Sequence, residues 1–305
     1  MTKQLFFQRY KQLGVEVKDV QLKESFRVNV LAIKEEELQE RFKELGVEVE
    51  PIPWARFGYW VKHSRFSIGA ITEYLRGYYY VQEAAAQLPV QVLDALPNTT
   101  VLDMCAAPGG KTTQIAQLMF NTGTLVALEL KEHRLVSLKT NLERMRVRNA
   151  VVFHMDGRDV QQLGMQFDKI LLDAPCSGNY VTDAGWFEKR TLKDIELSAR
   201  IQRDLLKAAL SVLKPGGELV YATCSLEPEE NELNMQWLLD HYDVTFVPVK
   251  IGVGDPGLTK VFGKKLDEQI KNCKRLWPHK TGTQGFFIAK ISSSALPHTR
   301  SCGGA

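Results

Sequence analysis

Two cysteines stand where strand-like runs give out. In Leu171-Leu172-Asp173-Ala174-Pro175-Cys176-Ser177-Gly178 a thiol follows a carboxylate across a proline turn; later, Tyr221-Ala222-Thr223-Cys224-Ser225 ends in the same way. The carboxyl ends of strands are where an open α/β sheet places chemistry. A thiolate is the side chain best suited to attack C6 of a pyrimidine, which makes C5 nucleophilic enough to take a methyl group. A free thiol with a pKa of about 8.5 is only slightly ionised at neutral pH, so the site must favour the thiolate. A neighbouring carboxyl can hold the N3/N4 edge of the ring and support the developing charge. The C5 proton and the thiol must then leave, and a second cysteine can assist that release.

A second group of residues precedes the cysteines. Asp103-Met104-Cys105-Ala106-Ala107-Pro108-Gly109-Gly110-Lys111-Thr112 is a loop of small residues leading into a helix. Such a loop lets the backbone approach a ligand, and the helix N-terminus favours anionic or polar groups. The end of the loop matches a Walker A motif, but Cys105 stands where a glycine is required and Pro108 interrupts the cradle of N–H groups. Glu129, at the end of the next strand-like run, is placed to accept hydrogen bonds from ribose hydroxyls. Asp156, at the end of a third run, is placed for an adenine amine, or is simply a turn residue in Asp156-Gly157. Loop and acids describe an adenosine-containing ligand and leave a dinucleotide and S-adenosylmethionine both open. The carboxylate–thiol pair at 173 and 176 decides for S-adenosylmethionine.

These residues need a frame. Apolar runs at 101–104, 125–128, 151–154, 169–172 and 219–222 alternate with helical stretches near 111–120, 131–145 and 195–212, which predicts a parallel sheet with helices on both faces. Runs at 244–249 and 285–291 complete it. Before this lie a helical stretch at 3–13, a strand at 26–33, a helix at 35–45 closed by Gly46, and Pro51 and Pro53. The expected division is a small α/β domain over 1–75, a catalytic domain over 76–291 and a disordered or artificially appended tail over 292–305. The small domain is a packing appendage or an RNA-docking module; Lys62, His63, Arg65 and Arg76 interleaved with Trp60, Phe66 and Tyr74 favour docking.

The 305 residues are 44% hydrophobic and 25% charged with net charge +3, which permits a polyanionic partner without demanding one. No run is long enough to span a membrane and no signal peptide is evident, so a cytoplasmic protein is expected. Five cysteines without C-x-x-C spacing point to free thiols and no metal; Cys273 and Cys302 read as structural.

Taken together, Cys105–Thr112, Asp173–Gly178, Tyr221–Ser225 with Glu229-Glu230-Asn231-Glu232, and Gly285-Phe286-Phe287-Ile288-Ala289 resemble the RNA cytosine-5 methyltransferases of the NOL1/NOP2/Sun family, over about 78–291. The resemblance implies a Rossmann-like class I methyltransferase with a mixed seven-stranded sheet, helices on both faces and a small RRM-like N-terminal domain. It implies Cys224 as the nucleophile, Cys176 for product release, Asp173 on the cytosine edge and Lys111 reaching the active centre. The DNA-type enzymes use the Pro-Cys thiol as nucleophile; Thr223-Cys224-Ser225 favours the RNA arrangement. S-adenosylmethionine would be held by Cys105, Ala106, Ala107, Pro108, Gly109, Gly110, Lys111 and Asp173, with Glu129 on the ribose, Arg134 near it and Asp156 at the adenine. The short loop Tyr180–Lys189 is most similar to small archaeal tRNA enzymes, although Asn179-Tyr180-Val181-Thr182-Asp183 replaces an arginine-rich segment found in many relatives. The expected partner is therefore tRNA, met by a monomeric enzyme; rRNA and a catalytically inactive RNA-binding scaffold are the alternatives. Lys260, Lys264, Lys265, Lys271, Lys274, Arg275 and Lys280 form a basic run expected to meet phosphates.

Overall fold

The computed structural model describes residues 3–16, 18 and 20–293, so most of the expected tail, with Cys302, lies outside the described residues. The N-terminal part contains α1 (Lys3–Gln12), β1 (Ser25–Val28), α2 (Glu35–Glu44), β2 (Glu48–Pro51), β3 (Gly58–His63), α3 (Thr72–Leu75) and β4 (Tyr79–Val81). Its four strands form an antiparallel sheet in the order β2-β3-β1-β4. Leu38 and Phe42 of α2 bury one face of that sheet against Phe26, Val28, Tyr59 and Tyr79. The fourth strand, β4, lies beyond the boundary expected at 75/76; three residues starting at a run of tyrosines carry too little alternation to reveal their pairing. The strand expected over 26–33 stops at Val28, because buried Asn29 turns the chain: its carbonyl accepts from Ala32 N at 2.9 Å and its Nδ2 donates to Gly77 O at 2.8 Å. α1 leaves this sheet altogether and packs Phe6 and Tyr10 against Trp186, Leu226 and Trp277.

The larger part continues with α4 (Leu88–Leu93), β5 (Thr100–Asp103), α5 (Gly110–Leu118), β6 (Thr124–Glu129), α6 (Glu132–Arg144), β7 (Ala150–His154), β8 (Phe167–Asp173), α7 (Trp186–Lys189), α8 (Leu192–Ser211), β9 (Leu213–Thr223) and α9 (Glu232–His241). It ends with β10 (Thr245–Val247), β11 (Asp255–Pro256), β12 (Lys260–Val261), β13 (Lys264–Lys265), β14 (Lys274–Leu276), α10 (Pro278–Thr281) and β15 (Phe286–Ser292). This is a Rossmann-like, doubly wound α/β fold with a mixed sheet. The order is β11-β14-β15-β9-β8-β5-β6-β7, with β10 also on β15, making nine strands. The seven expected strands are all present; β11 and β14 are additional, and both are too short to show a period of two in sequence.

Alternate residues of the same strands enter opposite cores, as a sheet covered on both faces requires. Leu102, Val126, Leu128, Ile170, Leu172 and Leu219 pack with α8 and α9, while Val101, Leu125, Leu171 and Val220 pack with α4 and α5. Strands β7, β6, β5, β8 and β9 run parallel, and β15 returns antiparallel to β9. The chain moves outward from β5 to β7, then restarts on the other side of β5 with β8. That reversal opens a crevice at the carboxyl ends of β5 and β8, the usual ligand position in such a sheet. Asp103, Glu129, Asp173 and Thr223 are the last residues of β5, β6, β8 and β9, so register alone brings the candidate residues to one rim.

Candidate active site

The turns after β8 and β9 bring the two cysteines together: Cys176 Sγ lies 3.2 Å from Cys224 Sγ. The pair is asymmetric. The hydrogen bond with the Cys176 thiol draws Cys224 below the usual thiol range, against burial and the Asp173 charge, and Lys111 adds to the effect. Cys176 is pushed well up, by that same hydrogen bond and then by burial and Cys224's charge. Lys111 Nζ, from the first turn of α5, donates to Asp173 Oδ2 at 2.6 Å and lies 5.4 Å from the Phe286 ring centre. Burial lowers the Lys111 pKa, but Asp173 outweighs it and the ammonium is held above its ordinary value.

A fully buried polar layer fixes the two turns. Glu230 Oε1 accepts from the hydroxyls of Ser177 and Ser225, the residues that follow the two cysteines, and Oε2 accepts from Ser177 N at 3.0 Å and Gln202 Nε2 at 2.7 Å. Burial pushes the Glu230 carboxyl up, and the donors around it oppose that shift. Asn179 Nδ2 donates to the Cys224 carbonyl at 2.7 Å, and Gln202 Nε2 also holds the Pro175 carbonyl at 3.0 Å. Asn231 ties Thr223 Oγ1 (2.6 Å) to the Ser225 carbonyl (2.9 Å). The sequence shows Glu230 and Asn231 only as members of a motif, and local pattern does not reveal Gln202 and Asn179 as supports. The available signal was an unusual polar cluster directly after an apolar strand.

The loop Cys105–Gly110 begins where β5 ends. Gly109, with φ of 107°, makes the N-cap of α5, a conformation that side chains rarely adopt. A cavity of about 250 Å³ lies beyond the ends of β5, β6 and β7, lined by Cys105, Glu129, Arg134 and Asp156 with apolar walls from Leu130, Ile201 and Leu205. A second, of about 160 Å³, is lined by residues 105–108, Gly110, Lys111, Asp173, Tyr80 and Gln82. Cys105 borders both. Glu129 is buried rather than a solvated neighbour of Lys131; it accepts from Lys131 N at 2.8 Å and lies 3.4 Å from Arg134. Arg134 also donates to the Ala107 carbonyl at 2.5 Å, joining that acid to the loop. Asp156 serves as a turn residue and a cavity wall at once, accepting from Arg158 N at 2.9 Å and pairing with the Arg158 guanidinium at 2.5 Å. The donor set fits a ligand with a nucleoside at one end and a charged group at the other: two acidic acceptors between apolar walls, then an ammonium, a carboxylate and a helix N-terminus.

Three expectations change. Arg275 is no phosphate contact: it is fully buried, its Nε donating to Glu232 Oε1 at 2.8 Å, because β14 is an inner strand of the sheet. Within the same basic run, Lys271 pairs with Glu268 and Lys280 with Asp255, whereas Lys260, Lys264 and Lys265 stand exposed on the β12–β13 hairpin. Tyr74, expected among docking aromatics, carries the Arg144 guanidinium 4.0 Å from its ring centre. Among the described residues no helix is long and apolar enough to cross a membrane, and no group of three potential metal ligands occurs.

Comparison with known proteins adds an independent line. A family model described as 16S rRNA methyltransferase RsmB/F matches residues 90–292, and one described as the N-terminal domain of 16S rRNA methyltransferase RsmF matches residues 1–84. The 28S rRNA (cytosine(4447)-C(5))-methyltransferase of Homo sapiens is 37% identical over 295 residues, 94% of this chain and 36% of its own length. The tRNA (cytosine(72)-C(5))-methyltransferase of Pyrococcus horikoshii is 40% identical over 225 residues, 74% of this chain and 55% of its own. The chain thus spans 36% and 55% of these two curated relatives. A crystal structure of a methyltransferase homolog protein from Pyrococcus horikoshii superposes with a TM-score of 0.85 at 42% identity, covering 95% of both chains.

Proposed function

The chain belongs to the RsmB/F, or NOL1/NOP2/Sun, family of RNA cytosine-5 methyltransferases, and on that premise we propose that it methylates C5 of a cytosine in tRNA. The observation that carries the reading is the 3.2 Å contact of Cys176 and Cys224 beside the Lys111–Asp173 pair. S-adenosylmethionine, when bound, supplies an electrophilic methyl group. Glu129 and Asp156 would hold its nucleoside, and the loop 105–110 with Lys111 and Asp173 would hold its amino-acid end.

The chain's own residues divide the remaining work. The Cys224 thiolate adds to C6, forming an S–C bond and moving an electron pair towards C5. Asp173 faces the N3/N4 edge; Lys111 fixes one of its oxygens, and the carboxyl remains 29% exposed to meet the base. Once C5 carries the methyl, the C5 proton passes to solvent water, its bonding pair re-forms the C5–C6 double bond, and the Cys224 sulfur departs with the C6–S pair as thiolate. The Cys176 thiol, hydrogen-bonded to that sulfur, stabilises the departing thiolate. One hydrogen bond therefore serves both attack and release. The target base must leave its stack at a cost of a few kcal/mol, least in loops and junctions.

A second reading, ribosomal RNA, is supported by the descriptions of the matching family models and by the human relative. Methyl transfer from labelled cofactor to purified tRNA and to purified rRNA separates the two. Label in tRNA supports the reading, label confined to rRNA supports the second, and none in either would leave an inactive scaffold.

A further inference from the structure

Arg27 lies in β1 with no exposure, and among the described residues no carboxylate is within ion-pair distance of it. A buried charge without a partner is costly unless its hydrogen bonds are met. Three of them are met by one element: Arg27 donates to Gly110 O at 2.9 Å, Thr113 Oγ1 at 2.9 Å and Gln117 Oε1 at 3.2 Å, all on α5. It also donates to Gln82 Oε1 at the end of β4. Burial, with Arg144 adding to it and Tyr80 opposing, lowers its pKa to about 9.

The other side of this arrangement is a cavity wall. Tyr80 and Gln82 line the smaller cavity together with Gly110, Lys111 and Asp173. The Tyr80 ring sits so close to the loop that a Cβ on Gly110 would be 3.2 Å from its Cε1. Asn141 Nδ2 joins the Pro108 carbonyl (2.9 Å) to the Tyr80 hydroxyl (3.4 Å). The larger cavity has the features suited to a nucleoside. The smaller one presents an ammonium, a carboxylate and the N-terminus of α5, which complement an α-amino acid carrying both charges.

We propose that the small N-terminal sheet forms one wall of the cofactor site: Tyr80 and Gln82 close the amino-acid end, and Arg27 is a positioning residue that sets the first turn of α5 against them. This rests on the S-adenosylmethionine reading. It makes the N-terminal sheet part of the methyl-donor site, whatever it does towards RNA.

Calorimetric titration of the full chain with two ligands tests it: S-adenosylhomocysteine, which has the amino acid, and 5′-methylthioadenosine, which lacks it. In Tyr80→Ala and Arg27→Met, affinity for S-adenosylhomocysteine should fall about tenfold while that for 5′-methylthioadenosine stays within about twofold. Arg27→Lys, which keeps a donor for the Gly110 carbonyl, should recover part of the loss. Equal weakening of both ligands, or of neither, overturns the proposal, since a merely structural role acts on the whole cavity. If Arg27→Met does not fold, Tyr80→Ala decides by itself. A wild-type chain that binds neither ligand sinks the cofactor reading, and the wall with it.

Discussion

Ser177 and Ser225 donate their hydroxyls to the same oxygen, Oε1 of Glu230. Each serine directly follows one of the two cysteines, so a single buried carboxylate sets the separation of the sulfurs. The Cys176–Cys224 contact is therefore a property of the layer beneath it. Glu230→Gln would keep the shape but present an amide donor where acceptors are needed. An unsatisfied buried group costs about 1–3 kcal/mol. The variant should melt at a lower temperature, and single-turnover methyl transfer should slow by about ten- to a hundredfold as the sulfurs drift apart. A variant as fast as wild type would show that the shared carboxylate does not set the geometry.

The asymmetry of the cysteines predicts opposite phenotypes. Cys224→Ala should form no protein–RNA adduct, and Cys176→Ala should accumulate one that survives denaturing electrophoresis. Loss of the Cys176 thiol also removes the donor that draws Cys224 down. The pH at half-maximal alkylation of Cys224 by iodoacetamide should then rise in Cys176→Ala. A downward movement would reverse the assignment of donor and acceptor.

Asp103 offers a pH test on stability. Its carboxyl is fully buried, Oδ2 accepts from Thr112 Oγ1 at 2.7 Å, and Oδ1 has no partner among the described residues. Burial raises its pKa from 3.8 to about 6. The folded state thus binds the proton more tightly than the unfolded chain, so this group's contribution to stability falls as pH rises from about 4 to about 6 and stays low above that. Asp103→Asn keeps an acceptor for Thr112 and removes the buried charge. Denaturant unfolding at pH 7 should find it more stable by up to about 3 kcal/mol, with the difference shrinking towards pH 4. A variant less stable at pH 7 would mean that the ionised carboxylate is itself supported.

The β12–β13 hairpin carries the exposed part of the basic run. Replacing Lys260, Lys264 and Lys265 together by glutamate should weaken tRNA binding and flatten its dependence on salt by about two to three in the log–log slope. Affinity for S-adenosylhomocysteine should be unchanged. If tRNA affinity and its salt dependence both matched wild type, RNA contact would lie elsewhere.

Much of this site could be read from local sequence. Cys176, Cys224, Asp173, Glu129 and the loop 105–110 all sit at the ends of apolar runs, and a parallel sheet sends all such ends to one rim. The same local logic failed where partners are remote. Arg275 looked like one more cation in a basic run, but β14 carries it inside, onto Glu232. Lysines at 260, 264 and 265 remained outside because their hairpin joins no larger sheet.

Sequence by itself determined which thiols, acids and small residues stand at the ends of apolar runs and that a strand–helix alternation would display them, since periodicity and residue type are local properties. Only the tertiary structure decided which sulfur is the more acidic, what holds the two apart, and that Arg27 and Tyr80 reach the loop. Those depend on distances between segments far apart in the chain. Burial and hydrogen bonding, which set a pKa or a cavity wall, exist only once those segments have packed.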